Sequence, residues 1–109
     1  MVPKVLIIED DNTFGIVLKK WFNKNGFDAF VKSTLDEAKK DLLKSEFKLI
    51  ITDLRLPDGD GIMMLTWIRE NKINTPVIVM TSYGEVQSAV AAIKLGAFDY
   101  MEKPINPEI

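Results

Sequence analysis

Short runs of uninterrupted apolar residues recur along the chain, at residues 5–8, 49–51 and 77–80. They are rich in β-branched side chains and show no polar alternation, which is typical of parallel strands covered on both faces. Two further runs, at residues 27–31 and 98–101, are each mixed with an aspartate, which suits less covered strands nearer the edges of a sheet. The pattern therefore predicts five strands.

Amphipathic stretches fill the segments between these runs, with apolar residues at helical spacing. From the first stretch to the fourth they are Phe14, Leu18, Trp21 and Phe22; Leu35, Ala38 and Leu42; Ile62, Leu65 and Ile68; and Val86, Val90 and Ile93. The first predicts a helix over about residues 12–25. Ser33 or Thr34 offers an N-cap for the second, and Glu37 completes a capping box with Thr34. Four helices are predicted, of which the last is Ala-rich and thinly anchored.

The strict alternation of strands and helices with short connections predicts an α/β fold, a doubly wound parallel sheet with right-handed crossovers. The length of 109 residues fits one domain, residues 1–109, and one hydrophobic core. Ligands of such sheets bind outside the carboxyl ends of the strands. The functional residues are therefore expected at those ends.

The amino-acid composition limits which catalytic groups and metal ligands the chain can use. The chain has no Cys and no His, which excludes disulfides, Ser-His triads, Cys nucleophiles and the usual zinc ligands. Its 14 basic and 16 acidic residues give a net charge of -2, so direct nucleic-acid binding is not expected. No apolar run approaches the roughly 20 residues that span a bilayer. A cytoplasmic protein without membrane contact is expected.

Reactive or metal-ligating residue types follow every central strand. They are Glu9, Asp10 and Asp11 after the first strand, Asp53 after the third, Thr81 and Ser82 after the fourth, and Lys103 after the fifth. Carboxylates, hydroxyls and an amine are thus expected to meet at one edge of the sheet.

Four segments in this order resemble the receiver domain of bacterial two-component response regulators. They are residues 7–11, 51–61, 80–82 and 96–104. The resemblance implies a flavodoxin-like sheet of order 2-1-3-4-5. Residues 83–85 and 96–100 are similar, more narrowly, to receivers fused to AAA+ transcription activators of the nitrogen-regulation type.

The resemblance also implies a mechanism. Asp53 is the candidate phosphoacceptor, because a carboxylate oxygen can attack a phosphoryl group and hold it as an acyl phosphate. Mg²⁺, with Mn²⁺ as an alternative, would be held by Asp10, Asp53 and the backbone carbonyl of Arg55, and by Glu9 through a metal-bound water.

Three more residues have roles by the same resemblance. Lys103 would pair with Asp53 in the free state and with a phosphoryl oxygen afterwards. Thr81 would donate its hydroxyl to that oxygen, and Tyr100 would turn inward with it, so that the surface of the fourth helix and fifth strand changes. The Lys103-Pro104 bond is expected to be cis by resemblance.

Other interpretations of these residues remain open. The acidic residues after the first strand can serve as a solvated loop and helix cap, and Asp53 can be a turn residue. A phosphatase of the haloacid dehalogenase type also uses a strand-end Asp with Mg²⁺, but needs a second Asp two residues on, where this chain has Arg55. A flavodoxin-like cofactor carrier would place its anionic phosphate beside the acidic loop.

The expected partners follow from the receiver interpretation. They are a cognate histidine kinase and a downstream output domain or protein, with a homodimer as a further option; a stand-alone phosphotransfer shuttle is the alternative. The family has a fifth helix after the Lys-Pro turn, whereas this sequence stops at Ile109, so that helix is expected to be missing or only begun.

Overall fold

Five parallel strands form the central sheet of the computed structural model, which describes residues 2–81 and 86–103. They are β1 (Lys4–Ile8), β2 (Asp28–Lys32), β3 (Leu49–Asp53), β4 (Val77–Thr81) and β5 (Asp99–Glu102). Their order across the sheet is β2-β1-β3-β4-β5, and every neighbouring pair is parallel. The predicted five strands and the order 2-1-3-4-5 are confirmed.

Four helices connect the strands. They are α1 (Asn12–Lys24), α2 (Leu35–Lys44), α3 (Gly61–Glu70) and α4 (Val86–Lys94). Side-chain oxygens of Asp11, Thr34 and Asp60 accept the N–H groups that open the first three helices, at 3.1, 3.2 and 2.8 Å. Such caps satisfy donors that have no partner inside the helix. The predicted start of α1 is confirmed, and Thr34 is the N-cap of α2.

Apolar layers cover both faces of the sheet. Along β1, Val5 and Ile7 join one cluster, whereas Leu6 and Ile8 join the other. Side chains of α1 complete the first cluster, and α2 and α3 supply most of the helical side chains in the second. Because successive strand residues point to opposite faces, a run that is apolar throughout is what a sheet covered on both sides requires.

Helix α4 contacts the core through a small residue. Ala92 is fully buried, whereas Val90 and Ile93 are 45% and 40% exposed. Two of the three residues that predicted this helix therefore face outward. The helix exists as predicted, but Val90 and Ile93 do not attach it to the core.

A short hairpin after β3 was not predicted. Arg55–Leu56 pairs antiparallel with Gly59–Asp60, and α3 begins directly afterwards. At Gly61 a Cβ atom would lie 2.8 Å from the carbonyl oxygen of Asp53. The glycine therefore lets the start of α3 approach the backbone of the strand end that carries the candidate phosphoacceptor.

Among residues 2–81 and 86–103, no helix combines the length and the apolar character needed to cross a bilayer.

Candidate functional site

The carboxyl ends of β1 and β3 bring Glu9 and Asp53 together. Ile8 lies beside Thr52 in the parallel register, so the next residue on each strand reaches the same level. Glu9 also donates its backbone N–H to the carbonyl oxygen of Lys32 at 2.9 Å, which extends the sheet by one residue. Parallel pairing thus places these two side chains next to each other, as the strand-end rule predicts.

Three carboxylates cluster at this edge. Glu9, Asp10 and Asp53 each offer an oxygen, and these oxygens all lie within 4.8 Å of one another. Glu9 is fully buried, Asp53 is only 8% exposed, and Asp10 is exposed to solvent. The predicted acidic cluster is therefore present, with an open side at Asp10.

Lys103 supplies the opposite charge. Its backbone N–H donates to the carbonyl oxygen of Thr81 at 2.7 Å, which continues the pairing of β5 with β4. Its ammonium donates a hydrogen bond of 2.8 Å to Asp53 Oδ2 and forms an ion pair with Glu9 Oε1. The Phe14 ring lies with its centroid 5.1 Å from the same nitrogen, a cation–π distance. The predicted pairing of Lys103 with Asp53 is therefore present in the structure.

Burial changes the acid–base properties of this cluster. Loss of solvation raises the pKa of Glu9 from 4.5 to about 7, and the neighbouring Asp53 adds to the rise although Lys103 opposes it. For the Lys103 ammonium, burial alone lowers the pKa, but Asp53 and Glu9 outweigh it and the net shift is upward. Lys103 therefore stays charged, whereas Glu9 changes its charge near neutral pH.

The donor set suits a hard divalent cation. Three carboxylates face one ammonium, so the cluster carries excess negative charge when Glu9 is ionised. Glu9 Oε1 is buried and, beyond its ion pair with Lys103, has no hydrogen-bond partner in the described residues. Oxygen ligands of this kind are those that Mg²⁺ and Mn²⁺ prefer. The residues present therefore fit a metal ion of this class.

Thr81 lies on β4, the strand next to the one that carries Asp53, and Tyr100 lies on β5, one strand further along the sheet. The Thr81 side chain is buried, and its hydroxyl donates to the carbonyl oxygen of Met101 at 3.5 Å, the outer limit of a hydrogen bond. Tyr100 is half-buried and packs against the core cluster that α2 and α3 cover. A weakly held hydroxyl and a half-buried aromatic are compatible with the switch roles predicted for them.

Some predicted features lie outside the described residues. They are Ser82, the residues 83–85, the Lys103-Pro104 bond and the predicted start of a fifth helix. Arg55 itself lies in the hairpin after Asp53, exposed to solvent.

Two residues near the site were not singled out from sequence. Phe14 was expected only as an apolar residue of α1, and Asp58 only as a member of segment 51–61. The capping residue Asp11 places Phe14 in the first turn of α1, and the ring then reaches Lys103. Such a contact between distant segments leaves no signal in local spacing.

Comparison with known proteins agrees with this geometry. A sequence profile described as the response regulator receiver domain matches residues 5–109. The response regulator protein PilR of Pseudomonas aeruginosa is 34% identical over 103 residues, which are 94% of this chain and 23% of PilR. This chain therefore spans about a quarter of that relative.

Solved structures of receiver domains have the same fold. The signal receiver domain of a protein named as a Luxo repressor, from Vibrio parahaemolyticus, superposes with a TM-score of 0.92 at 40% identity, covering 99% of this chain and 83% of that one. The beryllofluoride-activated NtrC4 receiver domain dimer gives 0.90 at 36% identity, covering 96% and 87%. The chain belongs to the receiver domain family of two-component response regulators, and these relatives agree with the narrower resemblance to nitrogen-regulation-type receivers.

Because the pKa of Glu9 is raised to about 7, we expect metal affinity to depend on pH in the neutral range. Below about pH 7 the proton on Glu9 competes with a bound cation, so Mg²⁺ affinity should rise with pH, by up to about tenfold per pH unit, and level off above about pH 7. In the metal-free protein, the protonated carboxyl of Glu9 favours folding. Its contribution is complete below pH 4.5 and is lost as the pH rises through about 7.

Calorimetric titration with Mg²⁺ at several pH values, with Glu9→Gln as the control, measures the first effect. The variant should bind Mg²⁺ with little pH dependence over the same range. Equal slopes for the wild type and the variant would show that another group titrates.

Proposed function

We propose that this chain accepts a phosphoryl group on Asp53 from the phosphohistidine of a cognate histidine kinase, and that the resulting aspartyl phosphate changes the surface of α4 and β5. The observation that carries the proposal is the position of Asp53. Its carboxylate is nearly buried, hydrogen-bonded to an ammonium at 2.8 Å, and grouped with two further carboxylates that can hold a cation.

The chemistry is a single displacement at phosphorus. An Asp53 carboxylate oxygen forms a bond to phosphorus, and the bond from phosphorus to the histidine nitrogen breaks. The nitrogen keeps the electron pair, and a proton on the other ring nitrogen of the phosphohistidine lets it leave as neutral imidazole, so no oxidant or further reactant is needed. Positioning and charge stabilisation account for most of the catalysis in such transfers. The protein is therefore a phosphoaccepting switch rather than an enzyme with turnover.

Asp10, Asp53 and the Arg55 carbonyl would hold Mg²⁺, or Mn²⁺ in its place, with Glu9 acting through a bound water. When bound, the cation neutralises charge on the phosphoryl oxygens. The carboxylates themselves define the shape of the metal site. Because the Glu9 side chain is fully buried, solvent does not reach the part of the cluster that faces the protein interior.

Lys103 supplies an interaction that differs between the two states. Before transfer its ammonium is bonded to Asp53; afterwards a phosphoryl oxygen becomes the more highly charged partner. The Thr81 hydroxyl, held by a bond at the outer limit, is free to donate to the same group. Movement of Thr81 would then alter the space next to Tyr100, and the α4–β5 surface with it.

Exposed apolar side chains support this choice of output surface. Four of them lie on α4 or between α4 and β5; they are Val90, Ile93, Leu95 and Phe98, the last 73% exposed. Patches of this kind favour protein contacts. The proposed partners are therefore the kinase, an output domain or protein that controls transcription, and a second copy of the chain, since the NtrC4 receiver relative is described as a dimer. We place the whole of residues 1–109 in this receiver domain and expect it in the cytoplasm.

Phosphotransfer without a fused output domain, as in a shuttle, needs the same site and is the main alternative. A haloacid dehalogenase-type phosphatase is disfavoured because the position of its second aspartate is Arg55, and this residue is exposed.

Acetyl phosphate tests the proposal without the kinase. The wild type should gain one phosphoryl group in the presence of Mg²⁺ and lose the gain when EDTA is added, as measured by intact-protein mass spectrometry. Thr81→Ala should still be labelled, because the hydroxyl serves readout more than transfer. Labelling that persists when EDTA is added, or steady hydrolysis of simple phosphate esters, would contradict the proposal.

A further inference from the structure

The turn of the hairpin after β3 is tied to the beginning of α2. Asp58 lies in this turn, and its two carboxylate oxygens accept the backbone N–H groups of Leu35 and Asp36 at 2.9 and 3.1 Å. The residues joined in this way are 23 and 22 positions apart in sequence. A carboxylate that receives two N–H groups at the positive end of a helix makes a favourable, charge-assisted contact.

A further observation shows that this contact is close, and the contact also affects the charge of Asp58. At Gly59, next to Asp58, a Cβ atom would lie 2.6 Å from a side-chain methyl of Leu35, so the turn backbone itself rests on the first residue of α2. The hydrogen bond from Leu35, with that from Asp36 and the charge of Lys39, lowers the pKa of the Asp58 carboxyl, which therefore remains ionised at neutral pH.

Helix α2 does not depend on this contact for its cap. Thr34 already accepts the N–H of Glu37 at 3.2 Å, and the first N–H groups of a helix are commonly satisfied by water. The larger consequence of the Asp58 bonds therefore falls on the hairpin, which is short and begins at Arg55, two residues after Asp53 of the acidic cluster.

The hairpin is held at its base by other bonds. Leu54 donates its N–H to Met80 at 3.0 Å, and Gly61 donates to Leu54 at 2.7 Å. Asp60 caps α3 through Met63. Because the base is fixed in this way, the Asp58 hydrogen bonds at the turn restrain the part of the hairpin backbone that contains Arg55.

We propose that Asp58 is a positioning residue for the metal site: by anchoring the hairpin turn to the start of α2, it holds the backbone at Arg55 in place beside Glu9, Asp10 and Asp53. This inference rests on the proposed function, in which the Arg55 carbonyl is a metal ligand. It adds a residue that touches neither the metal nor the phosphoryl group. Outer residues that orient metal ligands commonly change metal affinity by about 10- to 100-fold when they are removed.

Mg²⁺ titration by calorimetry, on the whole chain, tests this role with two matched controls. Asp58→Ala should weaken Mg²⁺ binding about tenfold. Thr34→Ala removes the other cap from the same helix end, and Asp36→Asn removes a carboxylate from the first turn of α2. Both controls should stay within about twofold of the wild type, because neither releases the hairpin.

Amide hydrogen exchange in the absence of metal provides a second measurement. Asp58→Ala should speed the exchange of the hairpin amides at Arg55–Leu56 and Gly59–Asp60 several-fold, and the two controls should not. The positioning role is rejected if Asp58→Ala resembles Thr34→Ala in both measurements, or if Asp36→Asn weakens Mg²⁺ binding as much. Failure of the wild type to bind Mg²⁺ would instead reject the proposed function, while the exchange rates still report whether Asp58 restrains the hairpin.

Discussion

Replacement of Asp53 with asparagine is expected to abolish phosphoryl transfer, with a loss of at least about a thousandfold in the labelling rate. The amide has nearly the same shape as the carboxylate but has no anionic oxygen to attack phosphorus. Lys103 keeps its ion pair with Glu9, so the surrounding structure should be retained. Intact-protein mass spectrometry with acetyl phosphate and Mg²⁺ measures the effect directly.

Asp60→Asn is the matched control for this variant. Asp60 lies a few residues further along the same loop and caps α3, a role that asparagine fills equally well. It should be labelled at the wild-type rate, and both variants should unfold at similar urea concentrations. Wild-type labelling of Asp53→Asn would place the phosphoryl group on another residue.

Replacement of Asp10 with asparagine is expected to produce the second largest effect. Asp10 is the exposed member of the carboxylate cluster, so its loss removes a charged ligand from the open side of the metal site. Mg²⁺ affinity should fall at least about tenfold, and labelling at a fixed, limiting Mg²⁺ concentration should fall with it. Raising the Mg²⁺ concentration should restore part of the labelling.

The neighbouring Asp11 offers a control of the same chemistry. Its side chain caps α1 through Phe14, and asparagine preserves that cap while removing the same charge. Asp11→Asn should change Mg²⁺ affinity less than twofold. Equal losses in the two variants would mean that general negative charge, rather than ligation by Asp10, attracts the cation.

The sheet could be predicted from sequence because its central strands carry an unambiguous signal. Runs such as residues 5–8 are apolar on both faces and rich in β-branched residues, and a parallel sheet covered on both sides accommodates that pattern. The caps at Asp11 and Thr34 are similarly local, since donor and acceptor are three residues apart. Fold class, strand order, the extent of α1 and the start of α2 followed from such features together with the family resemblance.

The hairpin after β3 could not be predicted in the same way. Each of its strands has two residues, too few to show a period, and Pro57 with Gly59 indicates a turn without specifying what flanks it. Helix α4 shows a second property that the sequence does not predict, namely which side chains face the core. Val90 and Ile93 have helical spacing, but spacing alone does not say whether a stripe faces the core, and here the smaller Ala92 does so.

The sequence predicted which residues come together at the candidate site, but not how strongly burial and contacts change their properties. The carboxyl ends of parallel strands lie along the same edge of a sheet, so Glu9, Asp53 and Lys103 could be grouped in advance. The burial of Glu9, which raises its pKa to about 7, depends on the packing around it. The contacts of Phe14 with Lys103 and of Asp58 with α2 join distant segments, and only the folded chain reveals them.

The central claim is that the carboxylate of Asp53 becomes an acyl phosphate. Borohydride reduces an acyl phosphate to the alcohol, which converts a phosphorylated aspartate into homoserine that peptide mass spectrometry can locate. After treatment with acetyl phosphate and Mg²⁺, homoserine should appear at position 53 and should be absent when EDTA is present. Homoserine at another position, or a phosphoryl group that survives on a hydroxyl side chain, would contradict the account.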